Sequence, residues 1–230
     1  MTRHIGIVGV SYEGAALCYR TICQEGRDRL GMYEHPEVTM HTFNLNDYKK
    51  PSDAERWDIG SEVILASARK LAAAGAEFLV CPDNTIHVSI DPIIEKSPLP
   101  WLHIAEEVAK EAAVKGYKNL GLLGTQPLME GPVYPRKLEP RDIRWQTPDL
   151  NSRTRIHQYI VEELIYGVML PDTRKYFQTL IEGFAEDGCD AVILGCTEIP
   201  LLINPEDSVL PTLDSTRLLA RAALREAIRS

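Results

Sequence analysis

The sequence predicts an α/β fold of two pseudo-symmetric lobes, each a parallel sheet flanked by helices. Three observations predict it. Short apolar runs alternate with longer segments of helical spacing along the whole chain, the pattern of repeated strand–helix units. The pattern also occurs twice. Ile5-Gly6-Ile7-Val8-Gly9 resembles Leu120-Gly121-Leu122-Leu123-Gly124, and Ser97-Pro98-Leu99-Pro100-Trp101-Leu102 resembles Ser208-Val209-Leu210-Pro211-Thr212-Leu213. Third, Gly75–His87 and Gly188–Pro200 share one plan: a glycine, a short apolar strand and a polar turn carrying one reactive side chain. That side chain is Asp83 in the first copy and Cys196 in the second. The offsets between copies are 115, 113 and 111 residues, in the same order along the chain. Lobes of residues 1–98 plus 213–230 and of residues 99–212 follow. Ligands of open α/β sheets bind beyond the carboxyl ends of the strands, which puts Ser11, Asp83, Thr125 and Cys196 around one cleft between the lobes.

The elements are expected in this order. His4–Val10 is an apolar first strand with a turn after it, and Ala15–Leu30 a helix. Gly6, Gly9 and Gly14 lack the spacing of a dinucleotide fingerprint. Val38–Phe43 is a strand, and the polar, proline-containing Asn44–Ser52 a loop. Asp53–Ala74 is a long helix with Trp57, Gly60, Ile64, Ala68 and Leu71 on one face, stopped by Gly75. Phe78–Cys81 is a buried strand, followed by a short helix to Glu95 and a strand at Leu99–His103. Ala105–Lys115 is a helix stopped by Gly116, and Asn119–Leu123 a strand. Pro127–Pro148 carries no clear period. Arg153–Tyr166 and Asp172–Asp187 are helices, Ala191–Leu194 and Val209–Leu213 strands, and Ser215–Ile228 a final amphipathic helix that packs on the first lobe.

The 230 residues, 44% hydrophobic and 25% charged, suffice for a full core. A net charge of −8 argues against nucleic acid as a partner, because phosphate binding needs a concentrated basic surface. Five cysteines at irregular spacing make neither a disulfide framework nor a zinc site. No apolar run reaches the roughly 20 residues of a membrane span, and the start lacks a signal-peptide core. A cytoplasmic setting, with no membrane partner, is expected.

Cys196 follows a strand and a glycine and precedes a helix, where backbone N–H groups and the helix dipole favour a thiolate. A buried packing cysteine fits the same context. Asp83 reads as a chemical group or as a helix cap before Asn84-Thr85. Asn84, Thr85, Thr125 and Thr197 can donate to a carboxylate. His87, one turn on, can support Asp83 or the substrate, and Glu198 can orient the Cys196 thiol. Cys18, Cys23, Cys81 and Cys189 read as packing residues.

The Pro-Asp-Asn-Thr-Ile-His and Leu-Gly-Cys-Thr-Glu-Ile-Pro segments resemble the two signature motifs of the aspartate/glutamate racemase superfamily, most closely its aspartate racemase branch. The resemblance runs along essentially the whole chain, through Gly-Val-Ser-Tyr-Glu, Leu-Pro-Trp-Leu-His-Ile, Arg155-Ile156-His157-Gln158 and Ser-Val-Leu-Pro-Thr-Leu-Asp. It implies two lobes, a homodimer, and a reaction without pyridoxal phosphate, metal or other cofactor. It also implies one acid/base group from each lobe on either side of a substrate α-carbon. Asp83 stands where the family has its first catalytic cysteine, and Cys196 where it has the second. The resemblance makes Ser11, Asn84, Thr85, Thr125 and Thr197 substrate contacts and Arg155 the cation for a distal carboxylate. The N-terminal turn is one residue shorter than the family's Gly-Gly-Met-Ser form.

Three functions are consistent with these residues. The first is racemisation or epimerisation of a small acidic amino acid by Asp83 and Cys196. The second is one-thiol chemistry on the same scaffold, as a decarboxylase or a cis–trans isomerase of a dicarboxylate. The third is binding of a small carboxylate without turnover.

Overall fold

A computed structural model describes residues 2–229. The chain divides into two compact units, residues 1–104 with 216–230, and residues 105–215. Each is built on its own four-stranded parallel sheet.

The first unit begins with β1 (Ile5–Gly9) and α1 (Tyr12–Leu30), then β2 (Val38–Thr42), α2 (Leu45–Asp53), α3 (Trp57–Ala73) and β3 (Phe78–Val80). Next come α4 (His87–Ile90), a 3-10 helix at Asp91–Lys96, and β4 (Trp101–Leu102). The sheet order is β2-β1-β3-β4. Period-two alternation decides which helices lie on which face. Ile5, Ile7, Phe78 and Val80 pack with Cys18 and Ile22 of α1. Val8, Leu79 and Cys81 pack with Ile64, Leu65, Ala68 and Leu71 of α3. Both faces are therefore apolar, as a buried parallel sheet requires.

The second unit opens with α5 (Ile104–Lys115), whose Glu106 pairs with Arg141 across the unit. It continues through β5 (Asn119–Leu123), α6 (Gln126–Glu130), α7 (Pro135–Leu138), a 3-10 turn at Glu139–Arg141, and β6 (Arg144–Gln146). After α8 (Leu150–Glu162), α9 (Pro171–Glu186), β7 (Ala191–Leu194) and α10 (Ile199–Leu202) comes β8 (Thr212–Asp214). Its sheet order, β6-β5-β7-β8, matches the first sheet strand for strand. Helix α11 (Ser215–Ile228) belongs with the first unit, where Leu219, Ala220 and Ala223 join Ile5, Ile7 and Ile22.

The duplicated helix stop is real down to its hydrogen bonds. Gly75 N–H donates to Ala72 and Ala76 N–H to Leu71; Gly188 N–H donates to Ala185 and Cys189 N–H to Phe184. Both glycines have positive φ, +94° and +77°, the left-handed closure that glycine adopts without a side-chain clash. Each then feeds straight into the strand that precedes a site turn.

Three expectations shift. Asn44–Ser52 is not a loop: α2 forms there, capped by Asn44 accepting from Asn46 N–H at 2.9 Å and anchored by buried Tyr48. A strand, β6, lies inside the stretch without a clear period. The strand expected at Val209–Leu213 is the shorter β8, because Ser208 and Leu210 close a turn first. Trp101–Leu102 pairs with β3 and Thr212–Asp214 with β7.

Candidate active site

In the first unit the site residues follow two adjacent parallel strands. Ser11 comes just after β1 and caps α1, its hydroxyl accepting from Gly14 N–H at 3.1 Å. Asp83 comes just after β3. Its Oδ1 accepts from Ile86 N–H at 3.1 Å, so the carboxylate caps the turn that carries Asn84 and Thr85. Asn84 is buried, and its carbonyl accepts from His87 N–H at 3.2 Å.

His87 is fully buried and supports the turn through the backbone. Nδ1 donates to the Asp83 carbonyl at 2.7 Å, and Nε2 accepts from Ile104 N–H at 3.4 Å. A neutral imidazole with its proton on Nδ1 satisfies both bonds. The ring also sits edge-on to His103, with centroids 4.4 Å apart, and His103 Nε2 lies 3.1 Å from Asp91.

The back of this turn is clamped to α3. Ser61 donates to the Ser89 carbonyl at 2.7 Å, and Ser89 donates to the Trp57 carbonyl at 3.1 Å. Gly60 lets the two segments touch, because a Cβ there would lie 2.6 Å from Ser89 Oγ. Beneath the carboxylate, burial and then the Asp83 charge push the Cys81 thiol well above its ordinary range. Burial pushes the Tyr48 hydroxyl up to about 12, with the charges of Asp47 and Asp83 adding to it. Tyr48 is the residue sequence reasoning missed; its signal was one aromatic in an otherwise polar stretch.

In the second unit, Thr125 follows β5 as Ser11 follows β1, and its hydroxyl caps α6 by accepting from Leu128 N–H at 3.4 Å. Cys196 follows β7. The two turns are packed backbone to backbone: Gly195 N–H donates to the Leu123 carbonyl at 2.7 Å, and a Cβ on Gly124 would lie 3.0 Å from the Gly195 carbonyl oxygen. That packing gathers Thr125 and Cys196 at neighbouring strand ends.

Cys196 is 7% exposed and its Sγ donates to Glu198 Oε2 at 2.9 Å. Thr197 donates to the same oxygen at 2.8 Å. The local geometry differs from the expected position at a helix N-terminus. Helix α10 begins only at Ile199 and has four residues, while a carboxylate stands against the sulfur.

Arg155 lies on α8, exposed, its Nε donating to Tyr159 Oη at 3.0 Å and its guanidinium 4.7 Å from the Tyr176 ring centroid. The structure joins it to this tyrosine pair. Of the remaining cysteines, Cys18, Cys81 and Cys189 are buried, and Cys23 is half-buried.

Comparison with known proteins is consistent along the chain. A family model described as Asp/Glu/Hydantoin racemase matches residues 7–223. The broad specificity amino-acid racemase RacX of Bacillus subtilis (strain 168) is 29% identical over 211 residues, 88% of this chain and 86% of that protein. A glutamate racemase of Thermus thermophilus is 30% identical over 161 residues, 67% of this chain and 57% of its own length. Among solved structures, an aspartate racemase homologue from Pyrococcus horikoshii OT3 superposes with a TM-score of 0.84 at 28% identity, covering 99% of both chains. A Picrophilus torridus aspartate racemase shares the fold, with a TM-score of 0.78 at 21% identity over 98% of this chain and 94% of its own.

Proposed function

The chain belongs to the Asp/Glu/hydantoin racemase family, and from that membership we propose that it is a cofactor-independent racemase or epimerase acting at the α-carbon of a small acidic amino acid, with Cys196 and Asp83 as the acid/base pair. The observation that carries this reading is the equivalence of the two turns. Asp83 lies beyond β3 and Cys196 beyond β7, in sheets of the same strand order.

Inversion needs proton removal from one face of the α-carbon and delivery to the other. The Cα–H bond breaks, its electron pair stays on the substrate and spreads into the α-carboxylate, and the opposite group supplies a proton. Donors must meet the charge that develops on that carboxylate. Ser11, Asn84, Thr85, Thr125 and Thr197 and the backbone N–H groups of their turns are assigned that task. Arg155, held by its tyrosines, would receive a distal carboxylate, since a guanidinium pairs with one through two parallel hydrogen bonds. The protein is proposed to work as a homodimer, which light scattering of the purified protein reads directly.

The test is to incubate the protein in deuterated water with each enantiomer of acidic and neutral amino acids. α-Hydrogen exchange is followed by NMR and inversion by chiral chromatography. Wild type should exchange and invert, and Cys196→Ala should lose both by roughly 100-fold or more. Absence of exchange with every amino acid would sink the reading. Arg155→Met should raise KM for acidic substrates more than for neutral ones.

One observation favours a second reading. The Asp83 cap bond to Ile86 gives that carboxylate a structural task, which fits one-thiol chemistry at Cys196, as in a decarboxylase or a dicarboxylate isomerase. Product analysis with malonate-type and unsaturated dicarboxylates separates the two.

A further inference from the structure

We propose that His103, anchored by Asp91, is a positioning residue for the turn that carries Asp83: it holds the plane of the His87 ring, and His87 holds the Asp83 backbone. The effect on turnover rests on the racemase reading, whereas the brace is built within the first unit alone.

Four observations carry it. His87 bridges two strand ends, because Nδ1 donates to the Asp83 carbonyl after β3 at 2.7 Å and Nε2 accepts from Ile104 N–H after β4 at 3.4 Å. Both bonds need one ring plane and one tautomer, and a half-turn of the ring about Cβ–Cγ would lose both. His103 is the wall against which that plane is set, its ring edge-on to His87 at 63° with centroids 4.4 Å apart. His103 is itself tied down. Its Nε2 donates to Asp91 Oδ1 at 3.1 Å and both side chains are largely buried, where a hydrogen bond is electrostatically stronger than in water. The fourth observation is a cost: His103 Nδ1 is buried and has no hydrogen-bond partner among the described residues. A phenyl ring would pack there without that cost, since burying an unpaired polar atom is unfavourable. What the imidazole adds is the bond that its other nitrogen makes.

The brace is local to one turn. His87 opens α4 and Asp91 opens the 3-10 helix that follows it, so the path from Asp83 through His87, Asp91, His103 and Ile104 closes on itself. The matching positions of the second unit hold Pro200 and Asp214, neither of which supplies an imidazole. The first turn therefore has a support of its own. The Asp83 carboxylate is tied to its turn by the cap bond to Ile86 N–H, so a shift of the backbone carries the carboxylate with it. A displacement of about 1 Å can cost roughly 100-fold in rate.

The experiment needs no substrate for its first arm. The His87 side chain is followed by heteronuclear NMR in wild type, His103→Phe, His103→Gln and Asp91→Ala. Wild type should show one tautomer with a slowly exchanging Nδ1 proton. That proton should exchange with water roughly tenfold faster or more in His103→Phe, which keeps a ring but cannot donate, and in Asp91→Ala, which keeps both rings. His103→Gln, whose amide can still donate to Asp91, should return to within about threefold of wild type. In the second arm, kcat for α-hydrogen exchange on an acidic amino acid should fall by roughly tenfold or more in His103→Phe, with KM moved by less than about twofold. His103→Gln should recover it, which a loss of packing alone would not predict. Wild-type protection of the His87 proton in His103→Phe, or a wild-type kcat there, would overturn the proposal. If His103→Phe does not fold, Asp91→Ala decides by the same two readings. If wild type exchanges no amino acid, the racemase reading fails, and the His87 proton alone decides whether the brace holds.

Discussion

Asp83 and Cys196 occupy matching turns but are held in different ways. Asp83 Oδ1 accepts a backbone N–H of its own turn, whereas the Cys196 sulfur donates to a buried carboxylate. The difference makes a sharp test of Asp83. Asn caps as well as Asp, so Asp83→Asn should melt within about a degree or two of wild type and yet lose α-hydrogen exchange. Asp83→Ala should lose exchange together with about 1 kcal/mol of stability from the missing cap, read as a lower denaturant midpoint. If Asp83→Asn retained exchange, the carboxylate would be structural and the one-thiol reading would stand. Much of this was legible in the residues. The Cys196–Glu198 contact spans two positions of one turn, and the cap role of Asp83 follows from its residue type. Tyr48 was not legible, because its burial beside Cys81 and Asp83 is created by a helix packing from elsewhere in the chain.

At the scale of elements, glycines set how closely the layers approach. A Cβ at Gly121 in β5 would fall 2.3 Å from the Phe184 ring of α9. Gly121→Ala should therefore cost about 1–3 kcal/mol through overpacking, visible as a lowered thermal midpoint. Gly195 is tighter still in kind, since its Cβ would meet the Leu123 carbonyl at 2.8 Å, and backbone yields less than a ring. Gly195→Ala should both destabilise the second unit and slow turnover, by displacing the Cys196 turn. Elements closed by strong local signals were readable in advance. Asn119–Leu123, Ala191–Leu194 and Ser215–Ile228 form at the expected bounds, because apolar runs there end at glycines or at polar caps. Helix α2 was hidden: Asn, Asp and Pro51 speak against a helix, and the burial of Tyr48 and Pro51 overrides them. Strand β6 was hidden because three residues are too few to show a period; its partner β5 holds it.

For the whole molecule, buried weak acids set the alkaline limit. The Tyr48 hydroxyl is pushed to about 12 by burial, from an ordinary value of 10.0, and burial also raises Tyr134 and Cys81. The folded state holds these protons more tightly than the unfolded chain does. The contribution of Tyr48 is complete below pH 10 and is lost as pH rises from 10 through about 12. Urea midpoints should fall across that window, and Tyr48→Phe should flatten the fall. Among the described residues no helix is long and apolar enough to cross a membrane. The return of α11 to the first unit has a bearing on synthesis. The second unit is one continuous stretch of chain, whereas Ile5, Ile7 and Ile22 wait for Leu219, Ala220 and Ala223 to cover them, and Arg3 N–H waits for the Ala227 carbonyl. On the ribosome the earlier-made lobe is thus the later to mature. A released chain truncated after residue 215 should expose its N-terminal half to protease while its second unit resists.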